Sequence, residues 1–144
     1  MLLDMQSMFS DAQAITATAV STNVIDFGTP GKPQHAKAPI HQDIGKGRPI
    51  QLLVQIVETF NTLTSLTVTL QKDTVEGFGS PETVFTTGAI PLAQLVAGKR
   101  FPPFYLPEGL DQRFARLSYT VAGTSPTTGR VTAGLVFGAE NWTP

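Results

Sequence analysis

A two-residue period in hydrophobicity governs what this chain can become. Over residues 48–60, Ile50, Leu52, Val54 and Ile56 fall at alternate positions, with Gln51, Gln55 and Thr59 between them. An extended strand turns successive side chains to opposite faces, so this pattern builds one apolar and one polar face, whereas a helix would scatter the same residues around its circumference. The pattern recurs. Leu66, Val68 and Leu70 alternate with Thr67, Thr69 and Gln71, Ala115, Leu117, Tyr119 and Val121 with Arg116, Ser118 and Thr120, and Val131, Ala133, Leu135 and Phe137 oppose Thr132. Ile15, Ala17 and Ala19 share a face against Thr16 and Thr18, and after a kink at 21–23 the pattern resumes over 24–27. Weaker runs lie at 83–87 and 101–106, where Pro102 and Pro103 restrict the chain to an edge or an extended connection. Helical periodicity is nearly absent; one turn is expected over 91–97, between Pro91 at its start and Gly98 after its end. The reading is all-β, a sandwich or jelly roll of about eight short strands with at most one short helix.

Two connections stand out. Residues 28–47 form a loop longer than the ~12–15 residues of ordinary connections, which marks it as functional or disordered. Residues 123–129, Gly-Thr-Ser-Pro-Thr-Thr-Gly, have the composition of a hairpin loop between the last two strands.

At 144 residues the chain is long enough for one domain with a real core and too short for two of ordinary size. Its net charge of -1 offers no footprint for nucleic acid, and no apolar run approaches the ~20 residues of a membrane span. Without cysteine there is no disulfide, no Cys-ligated zinc and no thiol nucleophile. Charged residues make up 15% of the chain, below the roughly 25% of ordinary domains, with Thr, Ser, Gly and Pro in their place. Such a surface suits contact with other protein.

Residues 1–13 read as an N-terminal arm, and residues 14–144 as the domain. Asp4, Gln6 and Ser7 interrupt the apolar stretch before the h-region of an export signal can form, so the arm is expected to stay on the mature protein. Leu2, Leu3, Met5, Met8 and Phe9 are too apolar for a solvated tail; they are expected to dock on a neighbour or on their own domain. If a neighbour buries them, deleting residues 1–9 leaves the sandwich folded and weakens assembly. The aromatic stretch 101–105, with Phe101, Phe104 and Tyr105, is a second candidate contact, or an aromatic corner packed inside its own sandwich.

Little else suggests chemistry. His35, His41 and Asp43 share the long loop without the spacing of a metal motif, so no metal and no cofactor are expected. Lys32, Lys37, Lys46 and Arg48 give that loop a local positive excess, able to meet an acidic protein surface. The run 77–82, Gly-Phe-Gly-Ser-Pro-Glu, starts like a dinucleotide loop but has Glu82 at the third glycine position and no βαβ context, so it is a turn. Glu58, Asp73, Glu76 and Glu82 provide no selected pair for glycoside hydrolysis, and no nucleophile-elbow motif supports a Ser-His-Asp triad. An enzyme is not expected. Trp142 is read as a tail anchor or a sugar platform.

The first third is similar to the small capsid-stabilising cement or decoration proteins of tailed bacteriophages, of the Bordetella-phage type and their prophage relatives. Asp4, Phe9-Ser10-Asp11-Ala12-Gln13-Ala14, Thr16-Ala17-Thr18, Ser21-Thr22 and Asn23-Val24-Ile25-Asp26 carry the resemblance, which continues more generically through 50–57, the LPEGL segment at 106–110, and 113–121 to Phe137. It implies a jelly-roll domain without catalytic residues, made in the host bacterial cytoplasm and bound to the outside of the phage head. It further implies the major capsid protein as partner, and a homo-oligomer, a dimer in preference to a trimer. The alternative of another class is a carbohydrate-binding sandwich module, disfavoured by a single Trp and two Tyr.

Overall fold

A computed structural model describes residues 2–138. These form eight β-strands: β1 (Leu2–Ala14), β2 (Ala19–Val20), β3 (Ile25–Asp26), β4 (Leu52–Glu58), β5 (Leu63–Asp73), β6 (Glu82–Pro91), β7 (Phe114–Gly123) and β8 (Arg130–Phe137). They build two antiparallel sheets packed as a β-sandwich. One has the order β1-β8-β4; the other, five-stranded, has β2-β7-β5-β6 with β3 also on β7. The alternating residues fill the space between the sheets: Leu52, Val54, Ile56, Val131 and Ala133 from the first, Leu66, Val68, Leu70, Leu117 and Tyr119 from the second.

Two segments add lanes to these sheets. Residues 98–106 run antiparallel along β4, joined by Phe101 N–H to the Val54 carbonyl (2.9 Å), Leu52 N–H to Phe104 (2.9 Å) and Leu106 N–H to Ile50 (2.9 Å). The prolines there keep this lane irregular, at the rim of the sheet. β2 and β3 both pair with β7, and Ser21 spans the kink between them by donating its N–H to the Leu117 carbonyl at 2.8 Å. Of the alternating run over 15–19 only Ala19 lies in β2, and beside it the Thr18 hydroxyl accepts the Val121 N–H (3.0 Å).

Three expectations are corrected. The N-terminal arm is strand β1, thirteen residues long, paired with β8 and integral to the first sheet. Its pairing slips three times, between Leu3 and Met8, Met8 and Ser10, and Ser10 and Gln13. Those bulges destroy the two-residue period by which a strand is recognised. Gly134 permits the approach: a Cβ there would lie 2.8 Å from the Met8 Cα and 3.0 Å from the Ser7 carbonyl oxygen.

The loop 123–129 is not a hairpin. β7 belongs to the second sheet and β8 to the first, so the loop carries the chain across the edge of the sandwich. Asn61 holds it: its side-chain oxygen accepts the N–H groups of Thr127 (2.8 Å) and Thr128 (3.1 Å), and its amide donates to the Thr127 hydroxyl (2.7 Å). Gly129, at φ +132°, packs directly on the Phe60 ring, where a side chain has no room.

The expected helical turn over 91–97 contracts to a 3-10 turn, Leu92–Gln94. Leu95 is fully buried and ends the turn by hydrogen bonding to the Leu92 carbonyl at 3.0 Å.

The sheets are also stitched by a polar chain, buried at its Ser10–Tyr119 link. The Ser10 hydroxyl donates to Gln13 Oε1 at 2.7 Å, so the Tyr119 hydroxyl, 2.7 Å from Ser10 Oγ, is the donor of the next link. Burial pushes the Tyr119 phenol well above its ordinary value, which keeps that proton in place. Gln13 completes the chain by donating to the Val20 carbonyl at 2.9 Å.

Candidate functional site

The docking residues expected from sequence divide into two groups. Phe9 is 0% exposed in the central core, Phe101 is buried in the same cluster, and Met8 is buried at the β1–β8 contact. These three are removed from the docking set, because their apolar area is already covered by the chain's own strands. Leu2, Leu3, Met5, Phe104 and Tyr105 face outward, Leu2 with 71% and Met5 with 69% of its surface exposed.

Leu2, Leu3 and Tyr105 gather with others that the sequence did not single out, whereas Met5 lies apart, beside Met8, Thr22 and Asn23. Leu2 pairs with Phe137 and Leu3 with Val136, while the Val136 N–H donates to the Gln51 carbonyl (3.1 Å) and Gln51 bridges to Tyr105. One end of the first sheet therefore carries an apolar strip across β1, β8, the entrance to β4 and the 98–106 lane. Two adjoining grooves follow it. One, of about 290 Å³, is lined by Leu2, Leu3, Ile50 and Phe137 among others; the second, of about 450 Å³, by Arg48, Ile50, Tyr105 and Phe137 among others.

Phe137, 78% exposed, is the largest departure from the sequence reading. Alternation assigns it and Ile50 to inward faces, in parity with the buried Val131 and Leu52, but both side chains are exposed at the ends of those runs. The signal for this was the length of the pattern: the apolar alternation of both strands runs on past the last core residue. Large apolar side chains grouped in this way mark a contact surface.

The charged residues take up structural posts. Asp26 receives Arg113 in a bidentate pair (2.8 and 2.8 Å) and the Gly28 N–H at 2.8 Å. The guanidinium first, then that N–H, hold its carboxyl at about 2 against an ordinary 3.8. The pair fixes β3 and the start of the long loop to the end of β7. Because the folded value is depressed, its contribution to stability is complete above pH ~3.8 and disappears as pH falls from there through about 2. Thermal unfolding followed from pH 5 to pH 2 is expected to show this loss, and R113Q to flatten the profile in that window.

Asp73 caps the 74–80 turn by accepting N–H groups of Ser80 (2.9 Å) and Val75 (3.1 Å), which lower its carboxyl, while Arg116 lies 4.3 Å over the ring of Phe78. The turn expected in place of a dinucleotide loop is thus formed. Glu58 pairs with Arg130 (3.0 Å), and Glu82 with Lys72 (3.4 Å). In the long loop, Asp43 accepts N–H groups from Gly45 (3.2 Å) and Gly109 (3.1 Å to one oxygen, 3.3 Å to the other). Among the described residues no group of three or more His, Cys, Asp or Glu is placed to hold a metal ion. Trp142 lies outside the described residues.

The Bbp16 family model matches residues 9–135, a span from within β1 to within β8 that touches every strand of both sheets. No curated protein matches the chain.

Proposed function

From the premise that this chain belongs to the Bbp16 family, which is consistent with a protein of the Bordetella-phage type, we propose that it is a structural virion protein of the phage head. It binds the outer surface of the shell and stabilises contacts between major capsid protein subunits. The observation that carries this reading is the apolar strip: Leu2, Leu3, Ile50, Tyr105 and Phe137 stand exposed at one end of a sheet whose own core is complete without them. Such a surface works by burial against a partner and needs no reacting group.

The jelly-roll form of the sandwich is part of the proposal. With 98–106 counted beside β4, and β2 and β3 taken as one interrupted lane on β7, each sheet has four lanes, as an eight-stranded jelly roll requires. Self-association, to a dimer in preference to a trimer, belongs to the same reading. β6 ends the five-stranded sheet and turns one main-chain edge away from it, with no Lys or Arg among its ten residues. A carbohydrate module is less well supported, since the chain has a single Trp and two Tyr from which to build a sugar platform.

Addition of purified protein to heads that lack it, followed by imaging of the particles, tests the proposal. Density on the outer surface with the strip turned to the shell is the expected result; a protein that remains in the supernatant at micromolar concentration overturns it.

A further inference from the structure

The strip borders the end of the long loop at Arg48, and the loop carries a cluster of exposed cations. Lys32, Lys37, Lys46 and Arg48 are all exposed, and among the described residues none of them forms an ion pair. The only acid within residues 28–48, Asp43, is turned inward to N–H groups of Gly45 and Gly109. Most of the remaining cations are engaged. Lys72, Arg113 and Arg130 meet carboxylates, while Arg100 and Arg116 lie over the rings of Phe104 and Phe78. With the whole chain at -1, this loop is a local positive pole on an otherwise acidic molecule.

The loop is also tied down. Ile40 N–H reaches the Gly31 carbonyl at 2.9 Å, Lys46 N–H the Asp43 carbonyl at 3.2 Å, and Ile44 N–H the Leu110 carbonyl at 3.3 Å. Gly45 packs directly against the Pro107 carbonyl, with no space for a side chain. A loop held in this way presents its charges without a large ordering cost at the moment of contact. Its last cation, Arg48, lines the same groove as Ile50, Tyr105 and Phe137.

We infer that the basic loop and the adjoining strip form one composite surface for an acidic segment of a protein partner, in which the loop steers the encounter and the strip supplies the buried area. The inference rests on the docking role proposed for the strip. A discrete acidic protein patch fits better than nucleic acid, because a long polyanion spread over the surface would also meet the negative remainder of the chain.

The test uses purified full-length protein and heads that lack it, with association rates measured from about 50 to about 500 mM salt, where screening shortens from beyond 10 Å toward a few Å. Wild type is expected to associate roughly 10- to 100-fold more slowly at the high-salt end. K32E/K37E/K46E, which leaves the groove residue Arg48 in place, is expected to show the slow rate at all salt concentrations. K32Q/K37Q/K46Q should fall between them, and the melting temperature should remain unchanged throughout. Binding of wild type at a salt-independent rate, or unimpaired binding by the charge-reversed protein, overturns the inference and leaves the docking role of the strip intact. Failure of wild type to bind heads at any salt overturns both. Competition by duplex DNA at low salt, lost in the charge-reversed protein, would assign the loop to nucleic acid instead.

Discussion

Deletion of residues 1–9 is expected to prevent the isolated protein from folding, and Phe9→Ala alone to lower its stability by about 3–5 kcal/mol. Phe9 is fully enclosed in the core between the sheets, and the following residue, Ser10, is the middle link of the polar chain from Tyr119 to Gln13. A loss of that size is a large part of the 5–15 kcal/mol that holds a typical domain together, and corresponds to a fall in melting temperature of roughly 10 °C or more. The sequence alone leaves two cases open, an arm docked on a neighbour and dispensable for folding, or one docked on its own domain. Thermal melts of wild type, the 1–9 deletion and a shorter deletion of residues 1–7 separate the two cases. Only the shorter deletion, which retains Met8 and Phe9, is expected to keep a cooperative transition; a melt of the 1–9 deletion at the wild-type temperature would return those residues to an external role.

Leu2→Ser, Tyr105→Ser and Phe137→Ser combined should abolish binding to heads while the melting temperature moves little. Exposed side chains away from caps and networks change stability by only about ±0.5 kcal/mol each. In a docked state each would bury a large apolar group worth about 1.5–3 kcal/mol. Losing half of that total still weakens each contact by about two orders of magnitude or more, at 1.4 kcal/mol per decade. Co-sedimentation with heads reads the effect directly. A triple variant that sediments with heads like wild type would show that another face makes the contact.

What was legible in this sequence followed from alternation. β4, β5, β7 and β8 each carry a clean two-residue period, and their inward residues other than Phe137 form the core or pack against it. β1 was hidden because three bulges in its pairing remove the period, leaving only an apolar stretch. The path of the chain between sheets was also hidden. Gly123 to Gly129 has a turn composition that suits a hairpin or a crossing equally, and what distinguishes them is Asn61, about sixty-six residues away in sequence from the groups that it holds. The candidate site was half legible. Hydrophobicity marked Leu2, Leu3, Met5, Phe104 and Tyr105, but the same criterion marked Met8, Phe9 and Phe101, which are core. Ile50 and Phe137 were missed because alternation reports the face of a strand and not how far the opposite sheet extends over it.

The pairing of β1 with β8 has a consequence for how the molecule is made. β8, which lies between β1 and β4 in the first sheet, leaves the ribosome after the other seven described strands, so both of its neighbours are synthesised well before it. Until then β1 has no ladder to join and its apolar residues no cover, whereas β5, β6 and β7 can already pair with one another. Closing such sequence-distant contacts is slow in all-β chains. The nascent protein therefore passes through a period in which half of the sandwich is in place and a strand edge and Phe9 are open to other chains, so the yield of native protein depends on how quickly β8 follows β7.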